Sequence, residues 1–335
     1  MPESILLVVA VAAVVLVLLM AARFRERRRD RGPAEGESES PRTADINVDW
    51  TNRQSLCDLL ARHFAPETAE AVSRTILPSI RILPAPPPYE GFPLGRSRIG
   101  GEPDMPPGHP WPRRQGRPLS FLAQINCAEL PDLDGASPLP RDGLLLVFYD
   151  ADQQPWGFDP ADRDGWKVIY HEGDPARLTR TPAPEELGEE ARFQPAKVRF
   201  RAEFTLPPAE CLAVDALSLG SDATDRLLML RTDVEEADTD PAARLLGHPD
   251  PIQSGQMQLD CQLASHGLYC GDPTGYEDPR AAELAKGAGE WMLLLQLDTR
   301  DDMVWGDMGR LYIHIRADDL LRRRFDDVWL ILQCS

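Results

Sequence analysis

The segment KVRFRAEFTL, residues 197–206, alternates strictly between apolar and polar side chains. In an extended chain, one face would carry Val198, Phe200, Ala202, Phe204 and Leu206. A period of two residues is that of a β-strand with one face on a core. The segment therefore predicts a strand, and a β-sheet is the expected core of the protein.

Other short apolar runs are bounded by Gly, Pro or Asp, as buried strands are. They are SFLAQI (120–125), GLLLVFY (143–149), WKVIY (166–170), WMLLLQL (291–297), RLYIHI (310–315) and VWLILQ (328–333). Helical spacing is found in 51–64, 66–77 and 222–236, and short helices are predicted near 279–287 and 319–323. Residues 172–195 are predicted to be a surface insertion. Helices and strands do not alternate regularly, so we predict an α+β fold with a mixed, mainly antiparallel sheet and a few short helices.

The order of these motifs repeats within the chain. The turn Gly101-Glu102-Pro103-Asp104 precedes a strand that carries Gln124, and Gly247-His248-Pro249-Asp250 precedes a strand that carries Gln296. In each copy a second glycine turn follows, at Asp142-Gly143 and at 307–309, and then another strand. Strand-turn-strand units cannot bury both faces alone, so we predict two internally similar halves that share one core.

This repeat also generates the binding-site hypothesis. If the corresponding turns meet at one rim of the sheet, Asp104, Asp250 and Asp307 would form an acidic pocket. Gln124, Gln296 and Trp305 would lie nearby, with the glutamines orienting a ligand.

The formal net charge is −18, from 36 Lys and Arg against 54 Asp and Glu. A nucleic-acid surface needs an excess of basic side chains to neutralise phosphates, so the charge argues against that function. A partner is expected to be neutral, basic or a cation, although acidic surfaces also serve solubility alone.

Residues 5–22 contain eighteen consecutive side chains without a charge. At about 1.5 Å per residue a helix of this length spans roughly 27 Å, which is enough to cross a bilayer. The preceding residues, MPES, lack the basic side chains of a cleaved signal peptide. We therefore predict one N-terminal transmembrane helix.

Six arginines follow in residues 23–31, and the positive-inside tendency places such a cluster on the cytoplasmic side. Residues 23–49 are predicted to be a basic stem and flexible linker, and 50–335 a cytoplasmic α+β domain. The six cysteines form no CxxC pair and are expected to be reduced. The expected location is the inner or cytoplasmic membrane, with a single pass.

No catalytic residue, metal site or cofactor motif can be assigned from the sequence. His248, Asp250, Cys261, His266 and Cys270 match no zinc spacing. Ser265 and His266 are adjacent without a G-x-S-x-G turn, and the glycine-rich segments lack the lysine of a phosphate-binding loop.

Several motifs occur in a fixed order along the chain. They are SRIGGEPDMPPGHPWP, PLSFLAQIN, DGLLLVFYD, GWKVIY, LLGHPDPIQ, CQLASHGLYCGD, MVWGDMGRLYIHI and FDDVWLILQC. From about residue 50 to the C-terminus the chain resembles the YwqG-like family of bacterial proteins, a family of unknown function. The resemblance implies a single α+β body with internally similar halves and no assigned activity. The anchor, the arginine stem and the insert at 172–195 are not part of the family pattern.

The functional hypothesis is a membrane-tethered binding domain whose acidic rim recognises a protein partner. One alternative is an enzyme in which carboxylates hold a divalent cation. Another is an immunity-type protein that neutralises a toxin.

Overall fold

The computed structural model describes residues 48–86, 91–133 and 137–335. The strands within these residues are β1 (Leu77–Pro84), β2 (Arg98–Ile99), β3 (Asp104–Met105), β4 (Arg113–Arg114), β5 (Arg117–Pro118), β6 (Ser120–Asn126), β7 (Leu144–Tyr149), β8 (Trp166–His171), β9 (Thr179–Arg180), β10 (Ala196–Thr205), β11 (Arg244–Leu245), β12 (Trp291–Asp298), β13 (Arg310–Arg316) and β14 (Trp329–Gln333).

The α-helices are short, apart from the fourth. They are α1 (Arg53–His63), α2 (Pro66–Ser73), α3 (Leu212–Asp215), α4 (Ser221–Ala237), α5 (Met257–Ser265), α6 (Thr274–Glu277), α7 (Ala281–Leu284) and α8 (Ala317–Leu321). Turns of 3-10 helix lie at Cys127–Glu129, Pro160–Gly165, Pro175–Arg177, Glu189–Ala191, Ala285–Glu290 and Phe325–Asp327. The predicted helices at 51–64, 66–77 and 222–236 correspond to α1, α2 and α4, whereas α5 was not predicted.

One large sheet contains ten strands in the order β14-β13-β12-β11-β1-β10-β2-β6-β7-β8. Every strand pairing within the described residues is antiparallel. The predicted mainly antiparallel sheet with a few helices is therefore confirmed, and the expectation that it also contains parallel pairs is wrong for these residues.

The strand order shows two five-stranded halves, which meet where β1 of one half pairs with β10 of the other. Both halves contain the same irregularity: the register shifts between Phe121 and Ala123 in β6, and between Leu293 and Leu295 in β12. In each case the shift lies just before the repeated glutamine. An extra residue at the same place in both strands shows that the repeat seen in the sequence is also a repeat of backbone geometry.

Part of the apolar face of KVRFRAEFTL packs as the alternation predicted, but Glu203 and Thr205 on the opposite face are buried as well. Val198, Phe200 and Ala202 contact a buried cluster to which both halves of the sheet contribute. The strand paired with it, β1, was not predicted, because Pro78 and Pro84 lack the N–H that a strand interior needs. Both prolines lie at the ends of the eight-residue strand, where this loss matters least.

The two edges of the large sheet come together. The backbone N–H of Leu332 in β14 donates to the carbonyl of Trp156 at 3.0 Å, and the indole of Trp329 donates to the carbonyl of Gly157 at 2.7 Å. Trp166, at the start of β8, packs edge-on against Trp329 with 5.2 Å between ring centroids. The residues just before β8 thus cover the outer edge of β14, and the sheet curves back on itself around one core.

The N-terminal predictions fall mostly outside this region. The predicted transmembrane helix at 5–22 and the stem and linker up to residue 47 lie outside the described residues. Of the helices that the structure does describe, none is both long and apolar enough to cross a membrane. All six cysteines are free thiols, as predicted.

Candidate functional site

Asp104 is fully buried and is the first residue of β3, directly after the glycine turn that follows β2. Its Oδ2 accepts hydrogen bonds from Arg98 Nη1 at 3.0 Å, the Gly95 N–H at 2.8 Å and Gln124 Nε2 at 2.8 Å. Its Oδ1 accepts one from Arg180 Nε at 2.5 Å. Burial alone raises the pKa of Asp104, but these donors outweigh burial and lower the pKa to about 2. The carboxylate is ionised and its acceptor positions are occupied.

Asp250, only 6% exposed, has the same arrangement in the second half. It forms ion pairs with Arg244 at 2.6 Å and with Arg231, from α4, at 2.9 Å. Burial raises its pKa, but the charges of Arg244, Arg231 and Arg310 outweigh burial and lower the pKa to about 2. This carboxylate is also neutralised within the protein.

The two clusters share the hydrogen bonds of their glutamines. Gln124 and Gln296 each accept a hydrogen bond from the backbone N–H of their aspartate, both at 2.9 Å. Each glutamine also donates to a backbone carbonyl two residues before the cluster's arginine, at Arg96 and Ala242. The repeated unit is therefore R-x-x-G-x-P-D followed by a strand glutamine, with Arg98 and Arg244 at its start.

Backbone conformation explains why both copies of this unit have glycine at the fourth position, Gly101 and Gly247. Gly101 and Gly247 have φ values of 76° and 74°, in the left-handed region. A Cβ on Gly247 would lie 2.6 Å from Cβ of Ser79 on β1, and one on Gly101 would lie 2.8 Å from Cβ of Pro195, just before β10. The turn therefore packs directly against the central strand pair.

The expected common rim is not formed by Asp104 and Asp250. On β10, Lys197 faces Arg98 and Arg201 faces Arg81, which in turn faces Arg244. Along the strand direction, Arg98 is level with Lys197 and Arg244 with Arg201, so the two arginines are four residues apart, roughly 13 Å. Across the sheet, β2 and β11 are three strand spacings apart, roughly 14 Å. The repeat relates the two turns by a two-fold rotation about the central strand pair, which separates them.

The other predicted site residues have different surroundings. Asp307 is exposed in a turn, and its carbonyl accepts a hydrogen bond from the Ser335 N–H at 3.1 Å. Trp305 is fully buried and packs edge-on against Tyr149 and Phe193. It therefore belongs to the core and is not an exposed platform. Whether any of the six predicted residues contacts a ligand stays a prediction, but the structure does not bring them together in one acidic pocket.

A cleft of about 650 Å³ does open beside Asp250. Its walls come from the end of β1, the start of β10, the loop Asp238–Ala243 and the segment Leu297–Asp301. Because β11 is only two residues long, the loop Asp238–Ala243 occupies its place between β1 and β12 and leaves this space. The volume is within the range of small-ligand and peptide-anchor pockets.

Arginines in the wall of the cleft are buried and paired. Arg81 donates to Glu203 and Asp238, both at 2.8 Å, and to the carbonyl of Pro241 at 2.9 Å. Burial lowers the pKa of Arg81, but the charges of Glu203 and Asp238 outweigh it, so the pKa is raised and the guanidinium stays ionised. Arg81 lies opposite Arg201 on β10 and Arg244 on β11, and three positive charges on neighbouring strands would repel one another. The carboxylates of Glu203 and Asp238 offset this repulsion.

Carboxylates dominate the accessible charge at the mouth of the cleft. The side chain of Asp301 is 85% accessible, that of Glu235 40% and that of Asp240 37%. Among the basic side chains of the cleft, Arg300 is 27% and Arg310 26% accessible and Lys197 is half-buried, whereas Arg231 and Arg244 are almost completely buried. A molecule that enters from solvent meets negative charge first. We call Glu235, Asp238, Asp240 and Asp301 the acidic mouth.

Sequence reasoning missed the residues that shape this cleft. Arg81 is a lone charge in LPSIRILP, and the acidic mouth begins in EEADTD at the end of α4. Arg98 and Arg244 each precede a repeated aspartate by six positions, and this spacing in the sequence could have indicated the buried ion pairs Arg98–Asp104 and Arg244–Asp250. Within the described residues, no group of three or more His, Cys, Asp or Glu is placed to hold a metal ion.

The sequence from 97 to 334 matches a domain of unknown function, DUF1963. The chain belongs to the DUF1963 family. No curated protein matches it. The DUF1963 match begins one residue before Arg98 and includes both copies of the repeated unit. It does not include β1 or Trp50, so part of the cleft wall is contributed by residues that precede the matched region.

Proposed function

We propose that this DUF1963 protein is a binding domain held at the cytoplasmic face of a membrane, and that it recognises a basic surface of a protein partner through the acidic mouth of its cleft. The observation that carries the proposal is the separation of charge in the cleft. Arg81, Arg231 and Arg244 are buried and paired, whereas the most accessible of the charged side chains described above are the carboxylates of Asp301, Glu235 and Asp240.

Electrostatic complementarity supports a basic partner. The arginine donors of Arg81, Arg231 and Arg244 are largely used by Glu203, Asp238, Glu235 and Asp250, so an anionic ligand would compete with internal carboxylates. A Lys or Arg side chain would instead meet Asp301, whose ion pair with Arg300 is long at 3.5 Å. It would also reach the accessible parts of Glu235 and Asp240, which are themselves paired with Arg231 and Arg201. Such pairs at the edge of an interface mainly increase the association rate and the selectivity for partners of the right charge.

The tether is supported by the sequence of residues 5–31, which has an uncharged stretch followed by six arginines. Trp50 lines the cleft, and its carbonyl accepts a hydrogen bond from the Phe204 N–H at 2.8 Å. The ordered motifs that resemble the YwqG-like family support membership of that family as part of the same proposal.

The two alternatives differ in their support. A cation-dependent enzyme needs open carboxylates, but Asp104 and Asp250 are both occupied by arginines. The immunity-type alternative is compatible with the proposal, because a basic toxin would be one member of the proposed class of partners.

Site-specific photo-crosslinking tests the proposal in native membranes. The photoreactive residue p-benzoylphenylalanine is placed at Thr239, in the mouth, or at Ser221, an exposed control position at the start of α4. We expect protein adducts from Thr239 only, and at least tenfold fewer when Glu235→Gln, Asp240→Asn and Asp301→Asn are combined. Equal adducts from both positions, or no effect of the triple variant, would refute the proposal.

A further inference from the structure

The cleft has an apolar interior behind the acidic mouth. Ile82, Ile99, Leu297 and Met303 line it, and each is at most 6% exposed. All four belong to the same buried cluster as the inner face of the sheet. The cleft therefore leads from charged loops at the surface to the hydrophobic core.

Two walls from different halves of the repeat form this interior. Ile82 on β1 and Leu297 on β12 belong to one five-stranded half of the sheet, and Ile99 on β2 belongs to the other. Val198 on β10 completes the wall and is only partly buried, so its side chain is within reach of an entering group. An apolar group that enters would leave water for a surface of methyl and methylene groups, which is favourable.

The size of the space suits an anchoring side chain. A volume of about 650 Å³ exceeds that of a single side chain and admits a bulky aromatic group together with the backbone that carries it. Burying such a group strengthens binding by about 10- to 150-fold relative to leaving it in water. The acidic mouth would at the same time contact basic residues next to that side chain in the partner.

We propose that the cleft binds a juxtamembrane segment of another membrane protein, in which a large apolar side chain lies beside Lys or Arg. The inference rests on the proposed function and names the part of the partner that is recognised. Cytoplasmic juxtamembrane segments are rich in Lys and Arg, and aromatic side chains concentrate at the same level.

Binding of short peptides to the full-length chain in detergent micelles tests the inference. Fluorescence anisotropy would follow three labelled peptides: GKFRKG, its alanine counterpart GKARKG, and the acidic GEFEEG. We expect GKFRKG to bind at least tenfold more tightly than GKARKG, and GEFEEG not to bind. The variant Val198→Phe, which narrows the interior, should abolish the preference for GKFRKG over GKARKG.

The outcomes separate the two proposals. Equal affinities for GKFRKG and GKARKG would overturn the apolar anchor and leave the acidic mouth in place. Failure of both basic peptides to bind, or tighter binding of GEFEEG, would overturn the proposed function itself. Because the peptides alone make this distinction, the result does not depend on whether the Val198→Phe variant folds.

Discussion

Gln124 and Gln296 occupy the same position in the two halves of the sheet: each follows a register shift in its strand and accepts a 2.9 Å hydrogen bond from the backbone N–H of a buried aspartate. Each aspartate is held in turn by arginines. The repeated unit is thus a buried, charged structural element, and several consequences can be measured.

Replacing Asp250 by asparagine should destabilise the fold. The change leaves the guanidinium groups of Arg244 and Arg231 buried beside a neutral side chain, and removal of one member of a buried pair costs about 3–5 kcal/mol. The measurement is the free energy of unfolding in urea. The control is Asp301→Asn, where the side chain is 85% accessible and the expected change is within about 0.5 kcal/mol. Equal effects of the two changes would contradict the assignment.

Acid should unfold the protein partly through the two aspartates. The pKa values of Asp104 and Asp250 are lowered in the folded state to about 2 from an ordinary value of 3.8. Their contribution to stability is therefore present above pH 4 and lost as the pH falls from about 4 to 2. A shift of this size corresponds to about 2 kcal/mol for each group. Urea titrations between pH 2 and 5 would measure the loss, and a flat profile would contradict it.

Two buried histidines predict a second pH effect, in a higher range. Burial lowers the pKa of both His248 and His314 to about 4, so both are neutral in the folded protein at pH 5–7. The unfolded chain binds these protons near pH 6.5, so stability falls as the pH drops from about 6.5 to 4, by up to about 3 kcal/mol per histidine.

The matching position in the other half of the sheet suggests which residue can replace His314. Its counterpart, by the strand register, is Phe148 on β7. The variant His314→Phe should keep the fold and reduce the loss of stability between pH 7 and 4.5 in urea titrations. If the variant and the natural chain show the same pH dependence, His314 is not buried in its neutral form.

Glycine substitutions test how closely the repeated turn packs on the central strands. Gly247→Ala would place a Cβ 2.6 Å from Cβ of Ser79 in a left-handed conformation. Gly267 is also left-handed, with φ of 86°, but has open space around it. We expect Gly267→Ala to cost about 1 kcal/mol and Gly247→Ala clearly more, because steric overlap adds to backbone strain. Melting temperatures would show the order, and the reverse order would refute the close packing.

Much of the sheet could be predicted because its strands have strong local signals. KVRFRAEFTL alternates with a period of two, and the repeated G-x-P-D turns precede strands with glutamine at matching places. β1 was missed because its prolines resemble a break, and only the pairing with β10 shows that they lie at the strand ends.

The candidate site was harder to predict, because its decisive contacts join distant residues. Arg180 and Asp104 are 76 positions apart, and Arg180 comes from the segment predicted to be a surface insertion. The net charge of −18 favoured exposed aspartates, yet Asp104 and Asp250 are buried and paired with arginines. A count of charges does not separate buried, paired side chains from exposed ones. Local patterns identified the repeated turn correctly but could not show which way its carboxylate points.

The contact between β14 and the residues at 156–157 affects how copies of the chain behave when crowded. A strand with an open side can pair with the same strand of a neighbouring molecule, which is a common route to aggregation. Here the backbone of Trp156 and Gly157 already occupies that side. Copies of the chain at high concentration would therefore remain separate molecules at this strand.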